Sequence, residues 1–503
     1  MKRSAPDTSS DDENVCEATA SIRPTKRRRV DEILERTLTR GYPSDVYINN
    51  KLLQEKQIMD YFSHEVHGLP PIVSQHRSGR CWMFGLMYPI RVAMIRDYEL
   101  ENNFNFSTSL LLFWDKYEKI KTCLKMNVEY SDLSLRSEEV RNARHFGDGG
   151  YNDYFYELIK LHGIVPKSAF IESTHSRNTA WLNHELRGLL TNYIYWIRNA
   201  DTPEQMEELV ERGCADTYKL LCYMLGTPPE TVTFRHIVKK DKDKDKDKDD
   251  DAGDEELEEG EIPRAKHGRS SKRVKSKGSK GSGPKPKEKK LLKEREIHEE
   301  ELTPMDFYDN YVKQYVDIAV LLNDTHEDQP YGKLYHGDIT CRNIYTAPAR
   351  KYLNLKMKDI KSYICKAIHA GHPVPIVCCF SAGNYYSNGR GMLDTDIYHP
   401  ELIMESLKCG HDHPKHIQRE YKFSWTNHIC TVVGYDETRN TWKIANSWGN
   451  DRGAGGYWEA TDAWVDKFVD KVFVQKSILT ARHRKIYRGK KPYYTYGKDD
   501  YLH

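Results

Sequence analysis

The sequence predicts an α+β fold, with a mainly helical stretch ahead of a β-rich one and charged segments that supply no core. Three observations lead there. The apolar run from Trp82 to Ile95 reads as a buried helix, and residues 107 to 230 read as mainly helical, punctuated by Gly147 to Gly150 and Gly163 to Pro166. Pro375 to Phe380 and the stretch from His428 to Lys476 are β-prone, with alternating residues facing a core. Residues 1 to about 30 and about 239 to 300 are almost devoid of core-forming residues and read as disordered, which accounts for the low mean hydropathy.

The 503 residues allow one large or two medium domains. Composition divides them into a basic tail (1–30), an N-terminal and helical region (31–238), a polyampholyte insertion (239–300), a second region ending in the β-rich part (301–476) and a C-terminal stretch (477–503). No apolar run is long enough to span a bilayer, and the polar start lacks the apolar core of a signal peptide, so an intracellular chain is expected. Eleven cysteines without a regular framework fit reduced thiols, and their odd number argues against a fully paired secreted protein.

The stretch with the most chemistry is Gln75-His76-Arg77-Ser78-Gly79-Arg80-Cys81-Trp82-Met83-Phe84. Ser78 and Gly79 permit a tight turn, after which Cys81 begins the apolar helix. A thiol at a helix N-terminus is expected to favour thiolate, the attacking species, through the helix dipole and unpaired N–H groups. The Gln75 amide and the Cys81 N–H can form a two-donor hole for the oxyanion of a tetrahedral acyl intermediate. A cysteine before an apolar helix also fits an inert core position, so a proton acceptor and a group to orient it are required. Trp425-Thr426-Asn427-His428 leads into a β-prone run and supplies His428; Asn446 in Asn446-Ser447-Trp448-Gly449 offers an amide oxygen to the imidazole, with Trp448 as a shield. Asp436 to Asn440 reads as the hairpin turn joining those two runs. Pro89, inside the predicted helix, should kink it.

These segments resemble the papain-like cysteine peptidases, and further stretches narrow the resemblance to the bleomycin hydrolase and aminopeptidase C branch. In order they are Ser78-Gly79-Arg80-Cys81-Trp82, Phe113-Trp114-Asp115-Lys116 with Glu118-Lys119, Asp148-Gly149-Gly150, Gly163-Ile164-Val165-Pro166-Lys167 with Glu172-Ser173, Leu225 to Thr231, Thr303-Pro304 with Phe307-Tyr308, and Asn446-Ser447-Trp448-Gly449. The similarity spans most of residues 45 to 503. It implies a papain-like two-lobed fold, a helical lobe with the Cys and a β-rich lobe with the His and Asn, plus a helical hook-type insertion. It further implies a thiol aminopeptidase, with Cys81 as nucleophile, His428 as acid and base, Asn446 orienting the ring and Gln75 at the oxyanion. Peptides are the expected substrates and bleomycin-like amides fit the resemblance; the chemistry requires no metal or organic cofactor. In the branch a C-terminal arm enters the cleft and its carboxylate captures the substrate amine; here that role falls to His503, with Asp499 or Asp500 adding attraction. The branch typically assembles as hexamers around a central channel. Ser381 stands where the branch usually has Asp.

Other features admit two readings. Lys26-Arg27-Arg28-Arg29 resembles a nuclear-localisation signal recognised by an import receptor, or is a solvated charge run, so the expected location is cytoplasmic, nuclear or both. The insertion is expected to be a solvated surface loop, with nucleic-acid or acidic-partner binding as the alternative. Those two segments support a competing assignment, a papain-fold scaffold or nucleic-acid-binding protein. Cys409, His411, His413 and His416 cluster without matching a zinc spacing and read as a polar loop, and Cys378 and Cys379 read as strand core.

Overall fold

The computed structural model describes residues 32–41, 48–55, 61–137, 139–140, 146–150, 154–237, 296–337, 343–380, 384–387, 390–397 and 413–497. The chain divides into two compact units, one of Met1–Phe234 with Glu301–His503, the other Arg235–Glu300. The whole basic tail (1–30) and most of the polyampholyte lie outside the described residues, as do Cys409, His411 and Ser381.

In the larger unit, two short helices, α1 (Glu32–Leu38) and α2 (Asn50–Glu55), and the two-residue strand β1 (His64–Glu65) lead to α3 (Cys81–Asp97). Nearly every α3 side chain from Trp82 to Met94 is buried, because the helix is apolar all round rather than striped. Trp82, Met83, Leu86 and Met94 join the helical core, whereas Tyr88 and Val92 join the core under the sheet. α3 continues as one helix past Pro89. The helical core continues with α4 (Thr108–Glu129), α5 (Tyr154–His162), α6 (Ala180–Arg198) and α7 (Pro203–Leu225). Ser107 caps α4 by accepting from Leu110 N at 3.0 Å, and Thr202 and Gln205 form a capping box ahead of Pro203.

The remaining strands of this unit are β4 (Ile318–Leu322), β5 (Lys333–Gly337), β6 (Lys351–Asn354), β7 (Val374–Cys378), β8 (Asn384–Ser387), β9 (Arg390–Leu393), β10 (His428–Asp436), β11 (Thr441–Ala445), β12 (Tyr457–Thr461), β13 (Val469–Gln475) and β14 (Tyr494–Tyr496). Among the described residues they form one sheet in the order β14-β5-β6-β4-β13-β7-β10-β11-β12-β9-β8, with β1 on β10. The β-rich part thus begins at Ile318, well before the expected Pro375. A short apolar run such as Ile318-Ala319-Val320-Leu321-Leu322 has no periodicity that separates strand from buried helix. Helices α8 (Met357–His369) and α9 (Asp462–Phe468) contribute to the core under the sheet, and Cys378 and Cys379 are buried there as expected. The hairpin between β10 and β11 turns after Asp436, which pairs with Thr441.

The described residues of the smaller unit are 235–237, at the end of β2 (Val232–Ile237), and 296–300, of which 297–300 begin β3 (Ile297–Leu302); β2 and β3 pair as a two-stranded sheet. This corrects the expectation for the end of the insertion: residues 297 to 300 are strand. Ladder bonds are made by main chain, so the exposed His298 and Glu299 and the half-buried Glu300 are compatible with it, and Arg235 pairs with Glu299 at 3.4 Å.

Candidate active site

The turn ahead of α3 is held from several sides. Gln75 N donates to Ser447 O at 2.8 Å, and Ser74 bridges Trp448, so the turn is stitched to the segment that follows β11. Within it Ser78 Oγ donates to Gln75 O at 2.6 Å, and His76 takes a left-handed φ of 53°, unfavourable for a non-glycine residue. The fully buried Arg80 donates from Nε to Ser78 Oγ at 2.8 Å and from both terminal nitrogens to Glu172, each at 3.1 Å. Gly79 N donates to Asp148 Oδ2 at 3.1 Å, so close that a Cβ at residue 79 would sit 2.9 Å from Asp148 Cβ. Trp82 Nε1 donates to Asp148 O at 3.0 Å.

Asp148 in turn is paired with the buried Lys116 at 2.8 Å. Burial alone would raise the Asp148 carboxyl, but Lys116, Thr179 and Asn183 hold it well below the usual carboxylate range; burial also pulls Lys116 down to about 8. Lys119 pairs with Asp115 at 2.7 Å and donates to Gly147 O and Gly149 O at 2.9 and 2.8 Å. Two buried ion-pair systems therefore set the turn and the 146–150 loop against each other. Their members stood in the sequence as branch signatures without a role, because nothing local pairs Lys116 with Asp148 or Arg80 with Glu172.

β10 delivers His428 as its first residue, largely buried, and β11 leads to Asn446. His428 Nε2 lies 2.8 Å from Asn446 Oδ1, which also accepts from Ser447 N at 2.7 Å. An amide oxygen only accepts, so Nε2 carries the proton and Nδ1 is the ring's remaining nitrogen. Phe380 and Trp448 flank the imidazole at centroid distances of 5.0 and 4.9 Å, and Asn427 Oδ1 holds Phe380 by accepting from its N at 2.9 Å. The Cys81 thiol contacts the main chain of Ile429, the residue after His428. Gln75 Oε1 accepts from Ser447 Oγ at 2.6 Å, and Nε2 donates to Ser78 O at 2.7 Å, which leaves the second Nε2 hydrogen. The structure thus brings Gln75, Cys81, His428 and Asn446 to one place, with Ser447 as a link between Gln75 and the Asn446 segment that the sequence did not disclose.

Burial works against the thiolate that the helix N-terminus favours. Burial pushes the Cys81 thiol up to about 11, outweighing the main-chain bonds of Ile429 and Trp82, and it pulls His428 down to about 4 against the bond from Asn446. Either charge alone is penalised, so a direct proton transfer from Sγ to the ring, which creates the two opposite charges together, is the favourable way to form the thiolate.

The described residues end at Gly497; His503, Asp499 and Asp500 lie outside them, as do Lys26, Arg27, Arg28 and Arg29. Of the histidine-rich loop, His413 and His416 are described, and the His416 ring lies 5.7 Å from that of His326. Among the described residues no three His, Cys, Asp or Glu side chains are grouped to hold a metal ion.

The family model described as Peptidase C1-like family matches residues 21–257 and 289–494. The chain belongs to this family. It is a cysteine-type peptidase of the Peptidase C1-like family by that match, with relatives along most of its length. An aminopeptidase C of Listeria monocytogenes is 28% identical over 441 residues, covering 84% of each chain. The bleomycin hydrolase of Mus musculus is 26% identical over 425 residues, covering 81% of this chain and 80% of its own. The crystal structure of PepW from Lactobacillus rhamnosis superposes with a TM-score of 0.73 at 24% identity, over 97% of each chain, which establishes the shared papain-like fold. No helix among the described residues is long and apolar enough to cross a membrane.

Proposed function

We propose that this chain is a cysteine aminopeptidase of the aminopeptidase C and bleomycin hydrolase type, releasing N-terminal residues from peptides. The observation that carries the reading is the 2.8 Å hydrogen bond between His428 Nε2 and Asn446 Oδ1, which reserves Nδ1 for the Cys81 thiol. In this mechanism Cys81 gives its proton to His428 and attacks the scissile carbonyl; the oxyanion is met by the free Gln75 N–H and the Cys81 N–H. His428 then protonates the leaving amine, and water, deprotonated by the same ring, hydrolyses the acyl-enzyme. Asn446 keeps the ring in the productive tautomer.

Restriction to N-termini is assigned to the C-terminal arm, whose His503 carboxylate takes the substrate ammonium, with Asp499 and Asp500 adding negative charge. Supporting it, β14 attaches residues 494 to 496 to the sheet, three residues before Asp499 and seven before His503 in the sequence. An intracellular location, import through Lys26, Arg27, Arg28 and Arg29, and hexameric assembly complete the reading, carried by the basic cluster and the family resemblance.

The test is cleavage of a peptide series with free and acetylated N-termini by the protein and by Cys81→Ala. Sequential release from free amines alone, lost in the variant, is the expected result. Thiol-dependent cleavage inside acetylated peptides would make it an endopeptidase, and thiol-independent cleavage would end the assignment.

A further inference from the structure

We infer that Arg77, Arg177 and Lys167 form a specificity subsite for a carboxylate borne by the leaving part of the substrate, an inference that rests on the aminopeptidase reading above. The three residues are exposed, and among the described residues none of them is paired with a carboxylate. They are tied to the turn that carries the chemistry. Arg77 N donates to Arg177 O at 2.9 Å and Thr179 N donates to Arg77 O at 3.4 Å, so the main chain at 77 runs beside 177–179. The carboxylates of this neighbourhood are already engaged. Glu172 accepts from Arg80, Thr108 and Ser176, and Asp148 accepts from Lys116, Gly79 N and Asn183. Arg80 and Glu172 cancel each other, which leaves Arg77, Arg177 and Lys167 as net positive charge on an open rim, and such a field attracts an anion.

His76 belongs to the same rim. Its φ of 53° is one that glycine takes freely, yet the chain holds an imidazole there, a local strain of the kind kept at functional sites. Burial pulls that ring below its ordinary pKa, against Glu172 and together with Arg177, Arg80 and Lys167, so it gains a proton more readily once an anion binds beside it. The position of the rim names the occupant. Ser74 bridges Trp448, and Gln75 accepts from Ser447 Oγ at 2.6 Å, so residues 74–77 border the segment that follows Asn446 and orients His428. His428 delivers its proton to the leaving amine, and the released part of the peptide therefore lies on this side of the reacting carbonyl. An extended peptide advances about 3.3 Å per residue, so the group that meets two guanidinium forks and an ammonium here stands a few residues past the scissile bond. A carboxylate fits that fork geometry, and it is supplied either by the C-terminus of a short peptide or by an acidic side chain.

The experiment measures kcat/KM for release of the N-terminal alanine from Ala-Ala-Ala, from its C-terminal amide and from Ala-Ala-Glu amide. It compares the full-length protein with the triple variant Arg77→Gln, Arg177→Gln and Lys167→Gln, each normalised to titrated Cys81. The free acid is expected to be preferred over its amide by roughly tenfold at low salt, as two or three exposed ion pairs supply, with the difference carried by KM. In the triple variant, and in about 1 M salt, the ratio should fall to near one. Recovery of the rate by the Glu-bearing amide would extend the subsite to acidic side chains, and no recovery would restrict it to the terminal carboxylate. An acid-to-amide ratio near one in the unaltered protein, or a preference that the triple variant keeps, would overturn the subsite and leave the aminopeptidase reading standing. Absence of N-terminal release from all three peptides would remove the reading and the subsite together.

Discussion

Thr431 Oγ1 donates to Gly85 O at 3.1 Å, joining the middle of α3 to β10. That carbonyl is the one whose usual helical donor is missing, because position 89 is proline and carries no N–H. The sheet thereby satisfies the helix, and Gly85 allows the approach, since a Cβ there would stand 3.2 Å from Ile429. Thr431→Val should destabilise the protein by about 1–3 kcal/mol, the cost of a buried acceptor left unpaired. In a Pro89→Ala background the new N–H can serve Gly85 O, so the penalty should shrink. A double-mutant cycle by urea denaturation measures this coupling, and strict additivity would refute it.

Gln75 is oriented by Ser447, 372 residues away. Gln75→Ala should lower kcat by roughly 10² to 10³-fold with little change in KM, as for loss of an oxyanion donor. Ser447→Ala frees the amide to rotate without deleting it, and a smaller loss in kcat is expected. Steady-state kinetics on one free-amine peptide decide both. A Gln75→Ala effect confined to KM would assign the residue to ground-state binding.

Arg80 and Glu172 form a bidentate pair that is nearly free of solvent. Burial would raise the Glu172 carboxyl, but Arg80, Ser176 and Thr108 hold it below its ordinary value. Glu172→Ala strands the guanidinium under the turn and should cost roughly 3–5 kcal/mol. Thermal or urea unfolding reports the loss, and a change under about 1 kcal/mol would show that the pair is not what holds the turn.

His428 links activity to acid stability. Its folded pKa of about 4 lies below the unfolded value of 6.5, so between those limits the unfolded chain binds the extra proton. The stabilisation is complete above pH 6.5, declines as pH falls from 6.5 to 4, and is flat below. The shift corresponds to roughly 3 kcal/mol. His428→Gln should lose that slope, so the stability difference between the two proteins should narrow across this window; parallel urea-midpoint curves from pH 7 to 4 would contradict it. The same substitution should slow alkylation of Cys81 at pH 7 by at least about tenfold, because the thiol then has no partner for its proton.

Sequence by itself determined the chemical vocabulary of this protein. Cys81 at the head of an apolar run, His428 at the start of a β-prone run and Asn446 past a hairpin are all set by short-range pattern, and the structure places each on the element foreseen for it. Tertiary structure alone decided the rest. The run Ile318 to Leu322 became strand because it found β13 and β6 as neighbours, not because its pattern excluded helix. The donor that Pro89 denies to Gly85 O came from Thr431, 346 residues away in the chain. Burial works against a charge on Cys81 alone or on His428 alone, and burial is a property of everything packed around them that no local motif encodes. Lys116 with Asp148, Arg80 with Glu172 and Gln75 with Ser447 are pairs whose energies depend on distance in space, which chain order does not carry.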